Sequence, residues 1–198
     1  MEKRLIESIY WEDSRRLLNM TEFDIVSVGS EGYGETGYLS MERIINYFHD
    51  YFNEKTVFYD LGCGTGKIVY HVGLAYPVKK SCGIEFSKER CATAMRISEK
   101  YSIKSEKISI INKNILDCDI SDATVIYIDN TLFPKLINEK IYDIIPDGCL
   151  VISRARINNS KNLDFNFKKE NQLDISHKIG GTLTNYGGSS LYSMIRNR

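Results

Sequence analysis

Two regions near the N-terminus show the apolar spacing of amphipathic helices. In residues 4–18 the apolar face is formed by Leu5, Ile9 and Leu17. In residues 39–53 the pattern is clearer, and its face is formed by Met41, Ile44, Ile45, Phe48 and Phe52. Spacing of three and four residues predicts a core-facing helix in each region, with Ser40 as the N-cap of the second.

From Thr56 onward, short apolar runs alternate with helical segments. The predicted strands are residues 56–60, 81–85, 107–111, 124–128 and 149–153. The predicted helices are residues 66–76, a segment capped by Ser87 that carries Cys91, Ala94 and Met95, and residues 132–145. This alternation indicates a parallel sheet that is covered by helices on both faces.

The C-terminal part changes to a period of two. Leu163, Phe165 and Phe167 alternate with polar residues, and "NYGG" at 185–188 predicts a turn before "SSLYSMI". Two strands without an intervening helix favour an antiparallel hairpin. The predicted fold is therefore α/β, with a seven-stranded, mostly parallel sheet, a C-terminal antiparallel hairpin and a short N-terminal helical segment.

Composition fits an ordinary globular domain, with 42% hydrophobic and 26% charged residues. Lys plus Arg and Asp plus Glu each total 26, so the net charge does not favour nucleic acid or an anionic membrane. The charged N-terminus lacks the apolar core of a signal peptide, and no apolar run approaches the roughly 20 residues that span a bilayer. We therefore expect an intracellular protein with no membrane partner.

The cysteines and histidines do not predict a metal site. Five cysteines form no CxxC pair, only three histidines are present, and the HExxH motif is absent. We expect reduced, mostly buried thiols and no bound metal.

The stretch "FYDLGCGTGK" carries the strongest chemical signal. Asp60 ends a predicted strand, and Gly62, Gly64 and Gly66 lead into a helix. Such a turn lets backbone N–H groups approach a ligand closely. A phosphate-binding P-loop fails because Leu61 replaces its first glycine and Ile68 follows Lys67, where Ser or Thr is needed. The dinucleotide fingerprint lacks its third glycine, so a dehydrogenase is an alternative only.

The pattern Asp-x-Gly-x-Gly-x-Gly, with Glu85 ending the next strand in "CGIEF", resembles the class I S-adenosylmethionine (SAM) dependent methyltransferases. The resemblance implies their Rossmann-like fold and SAM as cofactor. It further implies that Asp60 holds the ammonium end of SAM, that the glycines line its methionine moiety, and that Glu85 binds the ribose hydroxyls. By the same resemblance, Asn114 binds the adenine amine and Ile115 lies against the base.

Upstream of that turn, "YGETGYLSMERIINYF" resembles the disruptor-of-telomeric-silencing family, the non-SET histone lysine methyltransferases. In that family this loop covers the cofactor and borders a lysine channel. The resemblance implies that Tyr33, Glu35 and Thr36 contact SAM. It divides the chain into residues 1–38, an N-terminal helix with a flexible cofactor-covering loop, and residues 39–198, the SAM-binding domain.

The likeness continues after the fourth strand in "VIYIDNTLF", where the family has two asparagines and then a phenylalanine. Here Asp129 and Asn130 form the pair and Phe133 is the aromatic residue. The resemblance implies that the pair lies beside the methyl acceptor, and that Phe133 and Tyr192 line the lysine channel. Asp129 departs from the family asparagine. The net charge of zero leads us not to expect the basic extensions of members that act on nucleosomes.

These features together predict a SAM-dependent N-methyltransferase whose partner is a protein bearing the target lysine. Two alternatives stay open. One is methyl transfer to another amine, on a small molecule, a glutamine or a nucleic-acid base, because "DNTLF" also resembles the acceptor loop of amino-group methyltransferases. The other is a SAM-binding protein without catalysis.

Overall fold

A computed structural model describes residues 2–12, 34–157, 168–169, 177–179, 182–184 and 191–196. The helices are α1 (Glu2–Tyr10), α2 (Tyr38–Tyr47), α3 (Lys67–Ala75), α4 (Lys88–Lys100) and α5 (Lys135–Ile144), with 3-10 turns at His49–Tyr51 and Ile115–Asp117. The strands are β1 (Gly34–Thr36), β2 (Val57–Leu61), β3 (Lys80–Glu85), β4 (Ile108–Asn112), β5 (Val125–Ile128), β6 (Leu150–Ser153), β7 (Lys168–Lys169), β8 (His177–Ile179), β9 (Thr182–Thr184) and β10 (Tyr192–Ile195).

The main sheet has seven strands in the order β4-β3-β2-β5-β6-β10-β7. Strands β4, β3, β2, β5 and β6 are parallel, whereas β10 runs antiparallel to β6 and to β7. From β2 the chain first adds β3 and β4 on one side and then β5 and β6 on the other, so the strand order reverses between β2 and β5. Ligands of open α/β sheets bind outside the carboxyl ends of the strands at such a switch point.

Strand alternation sends side chains into two cores, one on each face of the sheet. On one face, residues such as Phe58 and Tyr127 pack against Met41, Ile44 and Ile45 of α2. On the opposite face, α5 covers a second cluster that includes Leu61, Ile84, Ile126 and Val151. Each isoleucine or leucine buried in this way contributes about 1.5–3 kcal/mol. Packing on both faces of the sheet fixes the positions of the carboxyl ends of β2 and β5 relative to each other.

Helix α1 packs on α3 through a buried histidine. His71 is fully buried, and burial lowers its pKa despite the opposing effect of Glu42. The neutral ring therefore donates from Nε2 to Glu42 Oε1 (2.7 Å) and accepts at Nδ1 from the Tyr10 hydroxyl (3.1 Å). Tyr76 also donates to Glu42 Oε1 (2.9 Å). This chain of hydrogen bonds fixes the end of α1 against the main domain.

The predicted fold class is confirmed, and Ser87 caps α4 by accepting a hydrogen bond from Arg90 N. Two details differ from the sequence-based expectations. Ser40 is not an N-cap: α2 begins at Tyr38, with Gly37 at the cap position, and Ser40 is buried within the helix. The helix predicted over 132–145 begins only at Lys135, because Pro134 occupies its cap position.

The predicted antiparallel C-terminal pair is confirmed. Strands β7 and β10 pair antiparallel at the end of the main sheet, and β8 and β9 lie between them in sequence. Strand β8 instead pairs with β9 and with β1, which forms a second, three-stranded sheet. The predicted strand at 163–167, the turn at 185–188 and Leu17 lie outside the described residues. Among the helices that the structure describes, none has the length and apolarity needed to cross a membrane.

Candidate functional site

The glycine-rich turn after β2 is held by backbone hydrogen bonds to β3. Gly62 N and Cys63 N both donate to the carbonyl of Ile84, at 2.8 and 3.1 Å. Gly62 and Gly64 have positive φ angles of 84° and 55°, a conformation that costs other residues roughly 1–2 kcal/mol. The glycines therefore permit a tight bend that a side chain would obstruct.

Gly66 has a different local role from the other two glycines. It also has a positive φ, of 76°, and it stands at the N-cap of α3. A Cβ there would lie 2.9 Å from Ile110 Cδ1 and 3.2 Å from Tyr70 Cε2. Gly66 thus allows α3 to pack closely against β4 and α4.

Glu85 organises the turn from the end of β3. Its Oε2 accepts a hydrogen bond from Gly64 N and its Oε1 accepts one from Ser87 N, both at 2.9 Å. Arg90 Nη1 lies 3.7 Å from Oε1. The carboxylate is buried, and each oxygen keeps a lone pair that can accept a ligand hydroxyl.

Asp60 is the carboxylate at the end of β2. Its side chain is 3% exposed, and it forms no hydrogen bond or ion pair with the described residues. Burial raises its pKa well above the usual value, and the carboxylates of Asp129 and Glu85 raise it further. A carboxyl group in this state is stabilised in its charged form by a cation that enters beside it.

The "YGET" stretch was expected to be a flexible loop, and this expectation is wrong for its described part. Gly34–Thr36 form β1, which pairs with β8. Glu35 Oε2 accepts from Lys67 Nζ at 2.9 Å and Glu35 Oε1 accepts from Thr65 Oγ1 at 3.1 Å. Thr36 Oγ1 lies 2.6 Å from the Tyr127 hydroxyl. Backbone pairing and three polar contacts thus hold this segment against the glycine turn.

Lys67 joins three segments of the chain. Its side chain is only 4% exposed, and besides Glu35 it donates to the carbonyl of Glu12 at 2.8 Å. Sequence reasoning used this residue only to reject the P-loop and to weaken the dinucleotide fingerprint. Its partners could not be predicted because they are distant in sequence and because Glu12 contributes a backbone atom.

Tyr127 is a second residue that sequence reasoning missed. It is buried, and burial and Asp129 raise the pKa of its hydroxyl while Arg154 opposes them. Strand alternation offered a signal, because residues two apart on one strand point to the same face. Tyr127 was therefore a natural neighbour of Asp129.

The segment after β5 places its three predicted residues differently. Asp129 is half-buried, lies near Asp60 and accepts from Thr131 Oγ1 at 2.8 Å. Asn130 is buried and its amide is engaged: Nδ2 donates to Asn138 Oδ1 (2.8 Å) and to the carbonyl of Ala155 (3.0 Å), while Oδ1 accepts from Ala155 N (2.8 Å). Asn130 thus supports the loop, while Asp129 lies in the wall of a crevice.

Phe133 comes into contact with the glycine turn. A Cβ built on Gly62 would lie 2.8 Å from Phe133 Cζ. The residue predicted to line the acceptor channel therefore touches a residue predicted to line the cofactor site.

The remaining predicted residues lie farther out or outside the described residues. Asn114 Oδ1 accepts from Leu116 N at 3.1 Å and caps a 3-10 turn, and Ile115 is buried in the core under α5. Tyr192 opens β10 opposite Ser153, beside the guanidinium of Arg156. Tyr33 lies outside the described residues. The adenine and channel roles of these residues stay predictions.

One crevice at the carboxyl ends of β2 and β5 contains five of the ten predicted cofactor residues, whereas Gly66, Glu85, Asn114 and Ile115 are not in its walls. Its walls contain Glu35, Thr36, Asp60, Gly62, Cys63, Gly64, Thr65, Lys67, Ile68, Tyr127 and Asp129. Three of these residues are acidic and one is basic, and Lys67 is already paired with Glu35. The crevice therefore suits a ligand that carries positive charge and hydroxyl groups and no phosphate.

Comparison with solved structures confirms the fold. An RNA methyltransferase from Salinibacter ruber in complex with S-adenosyl-L-homocysteine superposes with a TM-score of 0.59 at 18% identity, over 81% of this chain and 92% of that one. A putative S-adenosyl-L-methionine-dependent methyltransferase from Methanococcus maripaludis gives a TM-score of 0.53 at 14% identity, over 78% and 82%. The architecture is that of the SAM-dependent methyltransferases.

Sequence comparison defines the family more narrowly. The model of the family described as histone methylation protein DOT1 matches residues 20–187, and the chain belongs to this family, as the "YGET" and glycine motifs predicted. A curated protein-lysine N-methyltransferase of Saccharolobus islandicus is 34% identical over 93 residues, which are 44% of this chain and 57% of that protein. The match thus spans little more than half the length of that relative.

Proposed function

We propose that this protein is a SAM-dependent N-methyltransferase that acts on lysine side chains of proteins. The observation that carries the proposal is Asp60, a buried carboxyl group with a raised pKa and no hydrogen bond to the described residues, at the edge of a crevice with two further acidic residues. Family membership and the lysine methyltransferase relative support the same activity.

The residues present fit SAM. Asp60 would hold its ammonium group, the Gly62–Gly64 bend would lie along its methionine moiety, and Glu85 would accept its ribose hydroxyls. A pyrophosphate fits poorly, because Asp60 and Asp129 would repel it and the one lysine in the crevice wall is paired with Glu35. When bound, SAM supplies an electrophilic methyl group.

The protein's part in the reaction is to place an amine and to control its proton. In-line displacement needs a neutral amine lone pair within about 3–3.5 Å of the methyl carbon. Asp129, half-buried at the end of β5, would pair with the incoming ammonium and then accept its proton, directly or through water. The Phe133 ring at Gly62 would exclude water from that position.

The first experiment separates cofactor classes. SAM, S-adenosylhomocysteine and NAD are added singly to the protein and the melting temperature is measured, since a ligand that binds only the folded state raises it. We expect stabilisation by the two sulfur compounds and none by NAD. Stabilisation by NAD alone would overturn the assignment and restore the dehydrogenase alternative.

The second experiment identifies the acceptor. Methyl-labelled SAM is added to cell extract with the protein, with the Gly64→Arg variant as the negative control, and the labelled species are digested and identified by mass spectrometry. Label on lysine supports the proposal. Label on RNA, DNA, glutamine or a small amine would show that the acceptor is that molecule and not protein lysine. SAM binding without any turnover would indicate a protein that has lost catalysis.

A further inference from the structure

Beside the acidic crevice, at the next strand of the sheet, lie two arginines. Arg154 directly follows β6, and its backbone N–H donates to the carbonyl of Ile128 at the end of β5 (3.1 Å). Ile128 and Ser153 are paired in the register of β5 and β6. The next residues along the two strands, Asp129 and Arg154, therefore lie at the same level. Arg156 follows two residues later.

The guanidinium of Arg154 is buried without the partners that such a group requires. The residue is 6% exposed, and neither Nε nor Nη1 has a hydrogen-bond partner within the described part of the chain. It forms no ion pair with any described carboxylate, Asp129 included. Buried charges are normally paired or hydrogen-bonded. An anionic ligand would supply the hydrogen-bond acceptors that this guanidinium lacks.

Arg156 adds an exposed positive charge to the same edge. Its guanidinium carbon lies 5.6 Å from the centre of the Tyr192 ring, and the described residues offer it no carboxylate within ion-pair distance. A guanidinium placed over an aromatic ring keeps its N–H edge available for a planar anion.

Asn130 holds this edge in register with the acceptor loop. Its amide oxygen accepts from Ala155 N, and its amide nitrogen donates to the Ala155 carbonyl. Ala155 is the residue between the two arginines, so the double hydrogen bond fixes their backbone beside Asp129. Strand β6 is two strands away from β2, a separation of roughly 10 Å, which sets the arginines on the acceptor side of the crevice rather than at the glycine turn.

We propose that Arg154, assisted by Arg156, is a specificity site for a carboxylate close to the target amine, so that the preferred substrate is a lysine flanked by Asp or Glu. The proposal rests on the function proposed above and narrows its substrate class. Cationic groups would enter at Asp60 and Asp129 and an anionic group at Arg154, which fixes the direction of a peptide across the crevice. A carboxylate matches a planar guanidinium in a bidentate manner, and the zero net charge of the chain favours it over the repeated phosphates of a nucleic acid.

The test compares two fluorescent peptides that contain one lysine and differ only in flanking Asp and Glu against Asn and Gln. Binding is measured by anisotropy in the presence of S-adenosylhomocysteine, and kcat and KM are measured with SAM. We expect the acidic peptide to bind about ten-fold more tightly than the neutral one, with the difference in KM rather than in kcat. Arg154→Gln should bring the ratio close to one, and Arg154→Lys should restore part of it.

Two further variants complete the design. Arg156→Gln, an exposed substitution, should reduce the preference for the acidic peptide by a smaller factor than Arg154→Gln. If Arg154→Gln does not fold, the proposal is tested by the wild-type ratio and by the reduction in Arg156→Gln. The control is Arg96→Gln, since Arg96 is an exposed arginine of α4 whose one hydrogen bond among the described residues goes to Thr93 (2.6 Å). It should leave the preference unchanged.

Four results would overturn the proposal. They are a wild-type ratio near one, a ratio that Arg154→Gln leaves unchanged, loss of stabilisation by S-adenosylhomocysteine in Arg154→Gln, and stronger competition by a short RNA than by the acidic peptide. The third would assign Arg154 to the cofactor carboxylate, and the fourth would assign it to phosphate. Equal methylation of both peptides would overturn this inference and leave the proposed function standing. Tight binding of the acidic peptide without lysine methylation would overturn the proposed function and leave only the anion preference of Arg154.

Discussion

The ring of Phe133 lies directly over Gly62, close enough that a Cβ at Gly62 would stand 2.8 Å from Phe133 Cζ. Gly62 belongs to the turn after β2 and Phe133 to the segment after β5. This contact joins the side of the crevice where a cofactor would bind to the side where an acceptor would enter.

Gly62→Ala should therefore disturb both the turn and the ring above it. Its φ of 84° costs a non-glycine residue roughly 1–2 kcal/mol, and the added methyl group must displace Phe133. We expect a melting temperature lower by several degrees and loss of most SAM binding, measured by thermal unfolding and calorimetric titration.

Gly148→Ala is the matched control, because Gly148 has a φ of 76° and a Cβ there would meet nothing within 4 Å. It should show the backbone strain without the loss of SAM binding. Adding Phe133→Leu to Gly62→Ala should recover part of the binding, and equal loss in both glycine variants would show that the contact has no role.

Asp60 should make SAM binding depend on pH. Its pKa in the free protein is raised, first by burial and then by Asp129 and Glu85, and a bound cation would lower it again. Binding then releases a proton, and the affinity should rise with pH until the carboxyl group of the free protein is ionised. Titration calorimetry in buffers of different ionisation enthalpy measures that proton. Asp129→Asn, which restores the family asparagine, should shift the dependence to lower pH.

The same pKa predicts that Asp60 destabilises the free protein. Because its folded pKa lies above its unfolded pKa, the folded state holds a proton that the unfolded chain has released, and stability falls as the pH rises between the two values. Asp60→Asn should therefore raise the melting temperature of the free protein at neutral pH while abolishing its response to SAM. A gain of about 1 kcal/mol corresponds to about 2–4 °C in a domain of this size. A lower melting temperature for this variant would contradict the prediction.

Breaking the pair between Lys67 and Glu35 should be costly. Their side chains are 4% and 12% exposed, and removing one partner of a buried pair costs about 3–5 kcal/mol. Lys67→Met should therefore destabilise the protein strongly, and adding Glu35→Gln should recover part of the loss. Chemical denaturation of the two single variants and the double variant measures the coupling.

Lys135→Met provides the comparison for that cycle. The lysine is 87% exposed and lies 3.8 Å from Glu139, so its loss should cost no more than about 0.5 kcal/mol. Additive effects of the Lys67 and Glu35 substitutions would refute the pairing.

His71 should link the docking of α1 to pH. Burial lowers its pKa in the folded state, so the unfolded chain takes up a proton first as the pH falls below the ordinary histidine value of about 6.5. The stability that the neutral ring contributes is present above that value and is lost as the pH falls toward the folded pKa. His71→Gln should flatten the pH dependence of the melting temperature in this window. An unchanged slope would show that other groups set it.

The sequence predicted the sheet well because its signals are local. Buried runs such as 124–128 and the periodicity of Met41, Ile44 and Ile45 depend only on near neighbours, and so does the glycine turn after Asp60. Family resemblance then supplied the segment around Asp129. Each of these signals lies within a few consecutive residues.

What escaped prediction depends on partners that are distant in sequence. Lys67 meets Glu12 and Glu35 only because α1 and β1 both return to the glycine turn. Asn130 was expected beside the acceptor, yet its amide bonds to Ala155 and Asn138. No periodicity distinguishes a side chain that faces a ligand from one that supports a loop.

The pairing of β1 with β8 has a consequence for how the protein is made. Thr36 is opposite His177, so an early segment of the chain finds its neighbour only after every parallel strand has been synthesised. When β6 has just left the ribosome, the nascent chain already contains the glycine turn and Asp60. It still lacks β8, the strand that pairs with β1 at Glu35. Ligand binding during translation would then begin late, when the second, smaller sheet closes.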